Sequence, residues 1–299
     1  MYAPLYGRRT SNIHLKAMKF ENIKAFIPTI CSEDAMNVYA SFGTVPKYLE
    51  IYDENIDFLN NIEHCILNKD AYLYQEVKYL LKEEKGDGPT YFSILQTIAM
   101  GEQKIGNIAK RIQMQSNHLT RYLIKLIDLD IIEREVPVTE NNPLKSKLGR
   151  YRIKNQFIKF WFYYVYKNAS MLEIGQCAYV IDEITKTFNQ RFVSFVFEDY
   201  AKEFLMENPM QYLGFVPLKI GRWWSKNAEI DLLAIGEKNM ALIECKWESH
   251  PVDIHTYQNI VRKRQYINLS LPVSYIIFSK SGIHSSLKNL TDLKTYSYL

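Results

Sequence analysis

Hydrophobic and polar positions alternate most regularly from Glu229 to Trp247, which reads EIDLLAIGEKNMALIECKW. Two apolar runs flank the turn-type cluster Gly236-Glu237-Lys238-Asn239, the pattern of a β-hairpin. A loop of two or four residues centred between Glu237 and Lys238 pairs Asp231 with Glu244 and Glu229 with Lys246. Period-two alternation then puts Asp231, Glu244 and Lys246 on one sheet face. Ile230, Leu232, Ile243, Cys245 and Trp247 fall on the other. Directly opposed side chains sit about 4.5–5.5 Å apart at Cβ, and like charges there repel. A divalent cation is one way to offset that repulsion. The plainer alternative is a solvated charged face.

Elsewhere the pattern is mostly helical. After a short strand-like run, KFENIKAFIP is amphipathic. Ser32, followed by Glu33 and Asp34, is an N-cap for a helix running to Gly43. Further helical patterns cover roughly 53–67 and 70–84, and Gly86-Asp87-Gly88-Pro89 marks a linker. Tyr91 to Met100 forms one helix, and Ile105, Ile108, Ala109 and Ile112 mark a second. A tight turn at Gln113-Met114-Gln115 leads to a third from Ser116. Leu119, Leu123 and Leu126 face inward there, while His118, Arg121 and Lys125 face outward. Two strands, 131–136 and 150–153, enclose a polar loop with Lys145 and Lys147. Three helices and a basic two-stranded wing make a winged helix. Such a module contacts DNA through Arg121, Lys125, Lys145 and Lys147, or docks protein with no DNA contact; Asp128, Asp130, Glu133 and Glu135 dilute its positive field.

The stretch 155–168, NQFIKFWFYYVYKN, is too aromatic for a free surface helix and predicts a buried domain junction. A long helix over about 178–206 brings Glu198 up to the hairpin. Asp253 to Asn268 is helical and carries Gln258, Arg262, Lys263 and Arg264. PVSYIIFS, 272–279, is a buried strand, as in the middle of a mixed sheet.

Composition narrows the classes. The 299 residues allow two or three domains, and 47% hydrophobic with 23% charged residues is globular usage. No apolar run reaches the 18 or so residues of a membrane span, and no secretory leader is visible. A net charge of +4 is mild, so any nucleic-acid surface must arise by local clustering. Cys31, Cys65, Cys177 and Cys245 are scattered with no CxxC pair, the usage of reduced thiols in a cytoplasmic protein.

Asp231, followed thirteen positions later by Glu244-Cys245-Lys246, resembles the motif of the PD-(D/E)xK nuclease superfamily. The resemblance implies Mg²⁺ or Mn²⁺ held by Asp231 and Glu244, with an upstream helical acid, Glu198, completing the metal set. The ion acidifies a bound water and neutralises charge on the scissile phosphate. Lys246 is implied to orient that water, and Gln258 is a substrate-positioning candidate whose plainer explanation is a solvent-facing helix residue. Arg222 and Trp223, just before the hairpin, are candidate nucleic-acid contacts or, for the tryptophan, simply core cover.

Over nearly the whole chain a wider resemblance emerges, to archaeal P-loop ATPases in which the ATPase core is followed by a winged helix and a C-terminal domain of unknown function. It rests on PLYGRR (4–9), FGTVPKYLE (42–50), TYFSILQTIA (90–99), EREVPVTE (133–140), FWF (160–162) and the GRWW, EIDLLA and ECKW segments. Walker A and Walker B segments are absent. Gly101 to Gly106 is followed by Asn107-Ile108 rather than Lys-Ser/Thr, so no ATP site is expected. Arg8 and Arg9 are candidates to reach a nucleotide in another subunit.

The resulting expectation is an α+β multidomain protein. Residues 1–84 form a helical remnant of the ATPase lid region, 85–154 a winged helix, and 155–299 a PD-(D/E)xK-like α/β domain with a mixed sheet. The expected partners are DNA and either an ATPase-core polypeptide or a second copy, with no membrane. The expected activity is metal-dependent phosphodiester hydrolysis. The alternatives are an inert DNA-tethering or protein-docking module and a truncated remnant.

Overall fold

A computed structural model describes residues 17–82 and 88–298. The strand-like run near the start, Arg8, Arg9, Gly86 and Asp87 lie outside the described residues. The N-terminal region is helical: α1 (Ile23–Phe26), α2 (Ser32–Ser41), α3 (Pro46–Glu50), α4 (Phe58–Ile62) and α5 (Tyr72–Lys82). The N-cap of α2 is Cys31 rather than Ser32; its Sγ accepts the Asp34 N–H at 3.4 Å. Asp57 caps α4 by accepting from Asn60 N at 3.0 Å.

The winged helix follows as α6 (Gly88–Ala99), α7 (Ile105–Arg111) and α8 (Ser116–Asp128), then β1 (Ile132–Glu135) and β2 (Arg150–Ile153). Gln113 turns the chain between α7 and α8 with φ 55°, and Asp130 turns it from α8 toward β1 with φ 58°. Both are left-handed backbone positions without glycine. Leu119, Leu123 and Leu126 are buried along α8 as its periodicity requires. In the wing Glu133 pairs with Arg152 and Glu135 with Arg150, opposite charges facing across an antiparallel ladder.

Next come α9 (Gln156–Phe160), a π-helical turn over Trp161–Tyr166, α10 (Ala169–Glu173) and α11 (Cys177–Phe188). A second π-helical turn, Asn189–Val193, leads into α12 (Ser194–Glu207), and α13 (Pro209–Tyr212) precedes the sheet. Trp161 to Val165 are all buried, five consecutive side chains. One helical stripe cannot bury five neighbours; this segment is enclosed on several sides, touching α5, α6 and α10. Trp161 Nε1 donates to the Tyr74 carbonyl at 2.9 Å, which ties the junction to α5.

The sheet runs β3 (Lys219–Trp224), β4 (Glu229–Ile235), β5 (Met240–Lys246), β6 (Val273–Ser279) and β7 (Leu293–Ser297), in that spatial order. β4 runs antiparallel to both β3 and β5, whereas β5, β6 and β7 are parallel, so the sheet is mixed. The crossover from β5 to β6 carries α14 (Ile254–Lys263), capped by Asp253. Two layers of helix sandwich the sheet. Phe197 on α12 meets Phe278 and Trp247 at 5.5 and 5.0 Å between ring centroids. Ile260 on α14 packs with Leu233, Leu242 and Tyr275 on the opposite face.

The larger core is continuous through all three expected segments, joining Ile23, Leu123, Phe160 and Phe278 in one cluster. Trp161→Ala is expected to lower stability by about 3–5 kcal/mol through cavity formation. Trp161→Phe should lose less, and denaturant unfolding of both variants against wild type measures the difference.

Candidate functional site

The hairpin closes through Gly236 N–H to Asn239 O at 2.9 Å, leaving Glu237-Lys238 as the two-residue loop. Gly236 is needed for space: a Cβ there would lie 2.7 Å from the Phe215 ring. Pairing runs from Ile235 with Met240 to Leu232 with Ile243, the register expected from the turn. One step further, a side chain joins the two strands. Cys245 N–H donates to Asp231 Oδ2 at 2.8 Å, so this carboxylate sits between β4 and β5, next to Glu244.

One part of the expected face assignment is corrected. Leu232, Ile243, Cys245 and Trp247 do face the α12 core, but Ile230 belongs to the cluster on the α14 side with Trp223 and Leu233. The cause is a β-bulge: β3 pairs Gly221 with Leu233 and then Trp223 with Ile230, so Arg222 stands opposite both Asp231 and Leu232. The extra residue flips every following side chain.

Glu244 is buried, at 6% exposure, and both oxygens are engaged by lysines. Lys246 Nζ lies 3.0 Å from Oε1 and Lys263 Nζ lies 2.8 Å from Oε2. Burial alone would lower the Lys246 pKa, but the Glu244 carboxylate outweighs it and raises the value. Asp231 is pushed up to about 6, first by burial and then by the Glu244 charge. Outside this pair opens a cleft of about 390 Å³ lined by Glu244, Lys246, Asn259, Arg262, Lys263 and Tyr266, among others. It is a basic groove with one acid, Glu244, in its wall; Asp231 lies outside the lining.

Gln258 is exposed and outside that lining. It projects from the side of α14 opposite the buried Ile260, whereas Thr256, Asn259 and Lys263 flank Ile260 and reach the cleft. Lys263, which no motif in the sequence marks, lines the cleft and pairs with Glu244. Its signal was the 3.6 period counted from Ile260.

Glu198 is paired with Arg222. Arg222 Nε donates to Glu198 Oε2 at 2.6 Å, and the same guanidinium meets Glu135 at 3.2 Å and Asp199 at 3.1 Å. Arg152 completes the network on Glu133, on Glu135 at 3.2 Å and on Asp199 at 3.2 Å. Burial pushes the Glu198 carboxyl up to about 8 despite the arginine, with Asp231 adding to the rise. Asp199, equally enclosed, is held low because Arg222 and Arg152 outweigh its burial. Arg222 is thus committed to internal carboxylates, and Trp223 is 5% exposed with Nε1 on Thr139 Oγ1 at 3.2 Å.

The four winged-helix basic residues are all exposed: Arg121 and Lys125 on α8, Lys145 and Lys147 in the wing loop. Arg121 lies over the Tyr122 ring, 4.8 Å from its centroid, and donates to its hydroxyl at 2.9 Å. Exposed Ile124 and Ile127 share α8, and Leu144 and Leu148 share the loop, so the basic surface is interleaved with apolar patches.

For Mg²⁺ or Mn²⁺, Asp231 and Glu244 offer the hard oxygens such ions take, and the mutual repulsion that raises Asp231 is what a cation relieves. Glu198 does not fit in its present pairing with Arg222. Among the described residues no group of three or more His, Cys, Asp and Glu side chains is close enough to hold a metal. The charge of Glu244 raises Asp231 and that of Asp231 raises Glu198, while Glu198 is also paired with Arg222.

This hairpin, α12 and most of α14 lie within the segment 161–260 that matches the DUF234 family, archaeal and bacterial proteins of unknown function. The chain belongs to this family. More particularly, it is 39% identical over 303 residues to an uncharacterized protein, MJECL04, of Methanocaldococcus jannaschii, covering 99% of this chain and 67% of that one. No solved structure matches. Among the described residues no helix is long and apolar enough to cross a membrane.

The raised Asp231 has a stability consequence. Its folded pKa of about 6 lies above the ordinary 3.8, so the folded state binds the proton more tightly and folding is disfavoured once pH rises through this window. Asp231→Asn should therefore be more stable than wild type at pH 7, by up to about 3 kcal/mol, with the gain shrinking toward pH 4. Denaturation midpoints of both proteins at pH 4, 5, 6 and 7 check this. A constant difference across the series would contradict it.

Proposed function

We propose that the protein acts on DNA as the winged-helix and nuclease-like portion of an archaeal ATPase-type system in the cytoplasm, with a Mg²⁺- or Mn²⁺-dependent phosphodiesterase site at Asp231, Glu244 and Lys246. The observation that carries the reading is Glu244 in the wall of a lysine- and arginine-lined cleft, with Asp231 on the adjacent strand close enough for the Glu244 charge to raise it. A bound divalent cation supplies an acidified water and charge neutralisation at the scissile phosphate. Asp231 and Glu244 would hold it. Lys246 and Lys263, paired with Glu244 here, would stabilise the negative charge that builds on the phosphate. Arg262 and Asn259 orient the backbone along α14, and Lys145, Lys147, Arg121 and Lys125 add phosphate contacts from the winged helix. The ATPase core is a partner polypeptide or a neighbouring copy.

A second reading is favoured by the Arg222–Glu198 pair and by the two lysines that already neutralise Glu244. In it the site is inert and the protein tethers DNA or docks protein. The two readings separate on chemistry rather than binding, because losing a metal ligand removes transition-state stabilisation and leaves remote phosphate contacts in place.

Under the first reading, Asp231→Asn abolishes Mg²⁺- or Mn²⁺-dependent cleavage of a panel of nicked, branched and single-stranded DNAs with little change in DNA affinity. Lys246→Ala does the same. Cleavage by neither wild type nor variant, with metal leaving both melting temperatures unmoved, rejects the catalytic site. The DNA contact is tested separately: replacing Lys145 and Lys147 with glutamate should weaken binding and flatten the salt slope by about 2. Binding that is unchanged from low to high salt would assign the winged helix to protein docking.

A further inference from the structure

A second cavity, about 330 Å³, lies where the winged helix meets the sheet domain, and it shares no lining residue with the cleft at Glu244. Its volume is in the range that encloses a small ligand, about 300–1,000 Å³. Most cations in its wall are already matched. Arg150 pairs with Glu229 at 2.7 Å and covers the Trp224 ring at 4.3 Å. Arg152 and Arg222 are taken up by the carboxylate network described above.

Two cations remain, Lys159 and Arg191. Lys159 Nζ donates to the Arg191 carbonyl at 3.3 Å and sits over the rings of Phe192 and Phe195, 4.8 Å from each centroid. The Arg191 guanidinium stacks toward Tyr163, 5.9 Å away. Neither forms an ion pair among the described residues, although Asp199 and Glu198 act on Lys159 at longer range. Burial, followed by the charge of Arg152, lowers the Lys159 pKa to about 8, so the ammonium is held in an environment that disfavours it. An anion entering the cavity relieves that penalty.

We propose that this junction cavity binds a small phosphate-bearing ligand, with Lys159 and Arg191 on the phosphate. A phosphomonoester carries about −1.5 to −2 charge at neutral pH, which matches two unmatched cations better than a monocarboxylate does. The pairing also suits the two side chains: lysine meets phosphate as a point charge and arginine as a fork. The remaining wall is aromatic, from Tyr163, Phe192, Phe195 and Trp224, and can cover a planar group attached to the phosphate. Inorganic phosphate and a nucleoside monophosphate are the two sources of this chemistry, and the experiment separates them.

The test uses the full chain, thermal unfolding and calorimetry, with inorganic phosphate, adenosine 5′-monophosphate and chloride at matched ionic strength. Wild type should gain about 5 °C in melting temperature at a hundredfold excess over Kd of the cognate anion, while chloride gives no comparable gain. Tighter binding of the nucleotide assigns the aromatic wall to its base, and equal affinity for both assigns the site to the phosphate alone. Lys159→Met should bind about tenfold to a hundredfold more weakly, and Lys159→Arg should retain binding. Lys159→Met removes a disfavoured charge, so its ligand-free melting temperature should equal or exceed that of wild type. Arg191→Met, at an exposed position, gives the same reading should Lys159→Met not fold. No shift with either ligand beyond that of chloride, or wild-type affinity in both methionine variants, overturns the proposal. Neither result depends on DNA cleavage.

Discussion

One guanidinium organises the junction on which the rest of the molecule depends. Arg222 leaves β3 at the bulge and meets Glu198 and Asp199 on α12 together with Glu135 on the wing, and it also donates to the Phe195 carbonyl at 3.2 Å. A charge this enclosed is stable only with its partners in place, since removing one side of a buried pair typically costs about 3–5 kcal/mol. The winged helix, α12 and the sheet are therefore held in a single relation. That relation sets where Glu198 lies with respect to Asp231, and so whether the head of the hairpin is a two-acid or a three-acid site.

The hairpin was legible from sequence because every local signal agreed. Gly236 and Asn239 closed the turn, apolar runs flanked it, and the even loop length fixed which residues face one another. The bulge was not legible. Nothing in EIDLL marks the position where β4 carries one residue more than its neighbour, because the bulge belongs to the pairing with β3 rather than to either strand alone. The misplacement of Ile230 follows from this. Strands β3 and β7 were missed for a related reason: KIGRWW and LKTYS lack alternation, being only partly covered at the sheet's edges.

Site residues divided by the range of the forces that place them. Asp231, Glu244 and Lys246 are near in sequence, and hairpin geometry alone brings them together. Gln258 was chosen by resemblance to the nuclease motif, whereas the helix phase set by Ile260 selects Lys263. Glu198 and Arg222 are placed by contacts 24 residues apart in sequence and by the wing 87 residues away, which no local pattern encodes. A hint was available in the wing, where acidic and basic residues alternate with their partners across the ladder. A free basic wing has no need of Glu133 and Glu135 so placed.

The wing also settles a liability of the sheet. β3 is an outer strand, and an outer strand with unpaired amides and carbonyls is a template for another chain. Here Val138 N–H bonds the Arg222 carbonyl at 3.1 Å, while Lys219 reaches the Glu140 carbonyl at 3.4 Å and Trp224 reaches that of Leu148 at 3.2 Å. The segment between β1 and β2 thus closes the border of the sheet like a selvedge on cloth. A sheet domain cut free of its winged helix would present that border bare, and edge-to-edge association between copies would become its characteristic failure.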